Sequence, residues 1–225
     1  LAAECIKGRG EGGWHDAGAN RILLETNRLY DFIDLDEDFT KYKMLILPDI
    51  WVFDEKIKSK IDDYLSQGGK LLLSGKSGLD KNNEFCIDTG VKFIGENEFR
   101  PIYFIPEFDT VNGKTEYLMR AVNYRFDNID AEIVANGQNP YFNRTAEHFC
   151  SHQHAPNDRR LTYPTAAIKG NVAYIGWDIF RGYAESGDFH IKELVAYVIE
   201  RLMNGNFTIE SSIPDRGIVT LLQQN

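Results

Sequence analysis

The chain has 225 residues and a formal charge of -9, from 25 Lys and Arg against 34 Asp and Glu. That balance argues against a nucleic-acid partner, which needs clustered cations, and no basic run repairs it locally. At 43% hydrophobic residues the chain can build a core, but no apolar stretch approaches the roughly 20 residues of a membrane-crossing helix. Three cysteines, Cys5, Cys86 and Cys150, cannot all pair within the chain, and none forms a CxxC pair. Reduced thiols and a cytoplasmic location are the expectation.

In chain order, the first firm element runs from Ala17 to Tyr30. Ile22, Leu23, Leu29 and Tyr30 give it an apolar face, with Arg21, Glu25 and Arg28 on the wet side. A short strand is predicted at Phe32–Leu35. Met44–Leu47 is then continuously apolar, the mark of a strand buried on both faces. Residues 54–67 follow as a helix. Asp54 is its N-cap, Ile57, Ile61, Tyr64 and Leu65 its inner stripe, and Gly68–Gly69 its stop. With Lys70–Ser74 as the next strand, these segments make a right-handed βαβ unit.

The middle, about 84–165, reads as an irregular insertion of aromatic-rich strands, with turns predicted at Asn112–Gly113 and Asn136–Gly137. Thr165–Ile168 and Val172–Trp177 flank Lys169–Gly170–Asn171 as a hairpin. A last helix is predicted from His190 to Met203. The division expected is an α/β domain over 1–205 and a β tail over 206–225. The tail is read as the start of a following β-sandwich, with an edge ribbon as the other reading.

Chemistry is sought first in the turn after Lys70–Ser74. Ser74 or Ser77 stands where an α/β sheet delivers a nucleophile, but the spacing is not GxSxG, and a structural turn is the favoured reading. An independent serine hydrolase would pair one of these serines with a histidine such as His148, His152 or His154. His148, Cys150, His152 and His154 recur at period two. On an extended segment all four face one way and could grip a metal, although one strand's side chains diverge. No metal and no cofactor is expected. The acidic patch Asp34, Asp36, Glu37 and Asp38 reads as a solvated loop. Trp14 and His15 follow a glycine-rich loop and could line a crevice. Trp177, Asp178 and Arg181 mark the expected exposed aromatic patch, suited to sugar stacking or a subunit contact.

The run from Asn27 to Gly75, NRLYDFIDLDEDFTKYKMLILPDIWVFDEKIKSKIDDYLSQGGKLLLSG, together with HFCSHQH and NVAYIGWDIF, resembles the domain that follows the catalytic barrel in certain bacterial glycoside hydrolases. These are the trimerisation domain of family 42 β-galactosidases and related fucosidase-like hydrolases, and the likeness covers most of residues 17–203. It implies a three-layer, flavodoxin-like parallel sheet with helices on both faces, like that of class I glutamine amidotransferases. It also implies a TIM barrel upstream, a β-sandwich downstream, a homo-oligomer (dimer or trimer), and a carbohydrate substrate for the full-length protein. The amidotransferase cysteine has no counterpart at Ser74–Gly78, and Trp177–Asp178 lies where that family carries a His–x–Glu pair. The resemblance therefore implies a domain without glutaminase activity, one that makes subunit contacts and shapes the sugar site.

Overall fold

In the computed structural model of the chain, the described residues are 13–214 and 217–222. Helix α1 spans Trp14–Glu25, strand β1 Met44–Leu47, helix α2 Glu55–Ser66 and strand β2 Lys70–Ser74. Strands β3 (Val91–Glu96), β4 (Ile102–Pro106), β5 (Tyr117–Met119), β6 (Tyr124–Asn128), β7 (Glu132–Pro140), β8 (Asn157–Lys169) and β9 (Val172–Ile175) follow. Helices α3 (Ile179–Ser186) and α4 (Phe189–Met203) close the order.

The βαβ unit forms as its sequence dictates. The Asp54 carboxylate accepts from the Ile57 N–H at 2.8 Å, satisfying one of the orphan donors at the start of α2. Ile61 and Tyr64 are buried beneath that helix, and Gly68 takes a φ of +86° to end it. A side chain at Gly69 would place its Cβ 2.3 Å from the Tyr64 ring, so the second glycine makes room for that ring. β1 and β2 pair in parallel, with Leu45 opposite Leu71 and Leu47 opposite Leu73.

The three-layer parallel sheet does not form. Seven strands lie in the order β1-β2-β9-β8-β7-β4-β5, and β3 and β6 make a separate two-stranded sheet. Only β1–β2 and β2–β9 are parallel, and the remaining pairings of the larger sheet are antiparallel. The cause is loop length. β8 and β9 pair through Lys169 and Val172, leaving Gly170–Asn171 as a two-residue turn, and so short a turn can only reverse the chain. The stretch 84–165 supplies β4, β5, β7 and most of β8 to the same sheet as β1 and β2. Repeated register shifts between β7 and β8 bend the sheet, which curls into a half-barrel.

Other expectations also need correction. α1 stops at Glu25, short of Tyr30, because Thr26 Oγ1 donates to the Ile22 carbonyl and Asn27 turns left-handed at φ +55°. Phe32–Leu35 is not among the strands paired within the described residues. Asn136–Gly137 lies inside β7 rather than in a turn, and a Cβ at Gly137 would come 2.8 Å from the Tyr163 ring. Residues 177–183 hold a helix start in place of an exposed patch: Trp177, Phe180 and Tyr183 are buried.

Two apolar clusters flank the sheet. One joins α1, α3 and α4 to Ile46, Leu72, Ala173 and Ile175; the other joins α2 and the β3–β6 ribbon to Leu45, Leu71, Leu73 and Tyr174. Within the first, α1 and α3 touch through backbone. A Cβ at Gly18 would sit 1.8 Å from the Phe180 carbonyl oxygen. Gly18→Ala must therefore push the helices apart, and we expect a loss of about 3 kcal/mol or more, at the upper end of overpacking costs. Urea unfolding checks this; a loss under about 0.5 kcal/mol would show that α1 and α3 are not locked.

Candidate functional site

The carboxyl ends of β1, β2 and β9 converge with the first turns of α1 and α3, and polar side chains from all five meet there. Asp49 follows β1 and Pro48, adopts a left-handed φ of +56°, and is fully buried. Its Oδ1 accepts from Ser74 Oγ at 2.6 Å and from the Phe180 N–H at 3.4 Å. Its Oδ2 accepts from His15 Nδ1 at 2.8 Å and from the Arg181 N–H at 2.8 Å. Asp49 thus caps α3 from a distance, in place of Asp178, which stands at the N-cap but makes no capping bond. A carboxylate at a helix N-terminus is favoured by the helix dipole as well as by these donors.

The β2 turn completes the arrangement. Ser74 Oγ accepts from the Asp49 N–H at 2.9 Å, and the Asp49 carbonyl accepts from the Lys76 N–H at 2.6 Å. Gly75 has a φ of +58°, and a Cβ there would lie 2.5 Å from both Asp178 Oδ1 and the Asp49 carbonyl oxygen. The turn needs glycine on both counts. Tyr174 donates its hydroxyl to the Gly75 carbonyl at 2.7 Å, and Tyr124 donates to Asp178 Oδ2 at 3.4 Å.

The charges are tightly placed. Burial, and then the neighbouring Asp49, push the Asp178 carboxyl up to about 7. Burial alone would lower His15, but its hydrogen bond to Asp49 and the charges of Asp49 and Asp178 outweigh that and raise it. Burial first, then Asp178, also raises the Tyr124 phenol.

Of the residues singled out in the sequence, His15, Ser74, Asp178 and the Arg181 backbone come together around Asp49. The geometry is not that of a nucleophile. In a serine hydrolase the histidine stands between serine and carboxylate. Here Ser74 and His15 bind the same carboxylate, and Ser74 is fully buried. Ser77 is also buried, its Oγ accepting from the Trp51 N–H at 3.0 Å. The Trp177 ring turns into the core against Phe104, while Trp14 remains 48% exposed. Arg181 Nε bonds Glu185 on its own helix.

The histidine row lies elsewhere, in the connection between β7 and β8, and is not extended. His148 stacks on Phe142, His154 meets the edge of Tyr103, and Cys150 Sγ donates to the carbonyls of His152 and His154. Among the described residues no group of three or more His, Cys, Asp or Glu side chains is placed to hold a metal ion. Sequence reasoning missed Asp49, Tyr124 and Gly75 as members of the cluster. The one available signal was an Asp directly after a buried strand and a proline.

The shifts of Asp178 and His15 fix a pH dependence. Asp178 keeps its proton in the folded chain between its ordinary 3.8 and about 7, where the unfolded chain has lost it. The folded state then binds more protons, so its contribution is lost as pH rises through that window, by at most about 1.4 kcal/mol per pH unit. His15, raised above 6.5, adds a loss of the same sign at the upper end of the window. Denaturant unfolding from pH 5 to 8 should show stability falling, and Asp178→Asn should flatten the slope below pH 7. An equal slope in both proteins would contradict this.

Comparison with known proteins places the chain. The family model described as "Beta-galactosidase trimerisation domain" matches residues 20–200. An α-L-fucosidase isoenzyme 2 from Paenibacillus thiaminolyticus is similar over 92% of this chain and 32% of its own, at 37% identity and a TM-score of 0.89. A GH42 β-galactosidase from G. stearothermophilus shares the fold at 14% identity, with 85% of this chain and 26% of that one covered and a TM-score of 0.56. A curated β-galactosidase from Clostridium cellulovorans is 28% identical over 57 residues, 25% of this chain and 9% of that protein. The chain thus spans about a third of the fucosidase and under a tenth of the curated relative. Among the described residues no helix is long and apolar enough to cross a membrane. The chain belongs to the β-galactosidase trimerisation domain family.

Proposed function

We propose that this chain is the non-catalytic domain through which a glycoside hydrolase assembles into a homo-oligomer, and that it helps shape the sugar site of that enzyme. The family match over residues 20–200 carries the reading. The polar cluster supports it, because a buried carboxylate whose oxygens already accept four hydrogen bonds serves as a tie rather than as a base. The catalytic barrel would precede these residues in the full-length protein and a β-sandwich would follow the tail, both implied by the family resemblance. The 37% identity to an α-L-fucosidase makes an α-L-fucoside the first substrate to try, with a β-galactoside second.

The β7–β8 connection supplies the subunit contact in this reading. It presents Tyr141 at 56% exposure and Phe149 at 68%, with Leu161 exposed beyond them on β8. Exposed aromatic side chains of this kind are enriched where subunits meet. Trp14 and Arg181 remain proposed sugar or interface contacts, while the buried His15, Trp177 and Asp178 hold the elements beneath them.

Sedimentation equilibrium on the full-length protein tests the proposal. A closed oligomer is expected, and Tyr141→Glu with Phe149→Glu should drive it toward smaller species and lower hydrolysis of an aryl α-L-fucoside or β-galactoside. An enzyme whose mass and hydrolysis are both unmoved by that pair would contradict the reading.

A further inference from the structure

Among the described residues, six arginines bond a carboxylate of their own chain. Arg100 and Arg120 donate to a carbonyl and an amide oxygen, and Arg144 lies exposed. Arg125, on β6, is the exception. It is half-buried, its guanidinium lies 3.7 Å over the centre of the Tyr163 ring on β8, and its Nε is buried without a hydrogen-bond partner. Its cross-strand neighbour on β3 is Gly95, so the ribbon offers no side chain opposite it to pair with the charge. The ring beneath is fixed: the Tyr163 hydroxyl donates to Asn139 Oδ1 at 2.6 Å and accepts from Asn97 Nδ2 at 2.8 Å. The cation is thus held in one place, partly out of water, with only a π face to offset its desolvation.

We propose that Arg125 receives a carboxylate from a second copy of this chain when the subunits assemble. This rests on the oligomerisation reading and names one contact within it. Three observations favour a second copy as the source. An ionised carboxylate is the group that a planar, stacked guanidinium binds best, through two parallel N–H donors. The chain carries an excess of carboxylates, 34 acids against 25 bases, so copies repel unless cations left unpaired within the chain meet acids across the contact. Tyr163 also stands two residues from Leu161 on β8, which is exposed and belongs to the surface proposed as the subunit contact. Arg125 therefore lies beside that surface, where a second subunit would bring an acid and complete the burial of both groups.

Sedimentation equilibrium on the full-length protein at about 0.05 and 0.5 M salt tests this with Arg125→Gln and Arg125→Lys. Arg125→Gln should weaken association at least about tenfold at the lower salt, as for truncating one partner of a buried charge pair, and should lose most of the wild-type salt dependence. Circular dichroism checks that the fold is kept. If Arg125→Gln does not fold, Arg125→Lys decides: it keeps a cation on the Tyr163 ring but not the planar fork, and should weaken association at least about threefold. An oligomer as tight in the folded variant as in the wild type would overturn the proposal. So would a loss equal at both salts, which would assign Arg125 to packing. Added acetate that raises the melting temperature of the wild type but not of Arg125→Gln, with assembly indifferent to the variant, would assign the site to a free anion and also overturn it. A wild-type protein that stays monomeric would contradict the oligomerisation reading itself, and this inference with it.

Discussion

The domain is organised around one buried carboxylate. Asp49 ties the end of β1 to the β2 turn through Ser74, to α1 through His15, and to α3 through two backbone N–H groups. Those elements come from residues 14 to 186, so a single side chain joins parts of the chain that local forces would never bring together. Burying a charge is costly unless its hydrogen bonds are complete, and here they are. The left-handed backbone of Asp49 and the glycine at position 75 are the local strain and the local vacancy that let this happen.

The same constraint separates this domain from the enzymes whose residue types it shares. Serine, histidine and aspartate lie within hydrogen-bond reach of a common point, yet the order of their contacts makes the carboxylate the hub and leaves the serine oxygen both donating and accepting inside the fold. Asp178, beside them, has no partner for its Oδ1 and is held in its neutral form toward neutral pH. The cluster is a junction between α1 and α3, and the backbone contact at Gly18 fixes how closely those helices approach. The exposed aromatic side chains Tyr141 and Phe149 lie elsewhere, on the β7–β8 connection.

The amino-acid pattern made the βαβ unit and the last helix legible because each carries its own punctuation. Asp54, Gly68 and Asn204 sit at the ends of α2 and α4, where local hydrogen bonding decides the boundary. Strand direction was legible only locally: the hairpin of Thr165–Ile168 with Val172–Trp177 was read from its short turn and forms between β8 and β9, whereas nothing in the sequence marked β4, β5 and β7 as antiparallel members of the same sheet. Helix α3 was hidden because eight residues with a glycine and two aromatic side chains look like a surface patch until Asp49 is seen capping them. The cluster itself has no spacing to detect, since residues 15, 49, 74, 124 and 178 are brought together by topology alone. The histidine row failed for the opposite reason: its period-two spacing is plain, but no ladder holds the segment extended.

The most direct test of the carboxylate's role is the stability of Asp49→Asn, a change that keeps the volume and removes the charge. Because His15 Nδ1, Ser74 Oγ and two backbone N–H groups would face an amide able to accept from only some of them, the expected loss is about 3–5 kcal/mol, as for breaking a buried ion pair. Guanidinium unfolding at pH 6 reads it. A loss in that range supports Asp49 as the hub of the fold; a loss below about 1 kcal/mol would mean that the elements pack without it and that the carboxylate only decorates the junction.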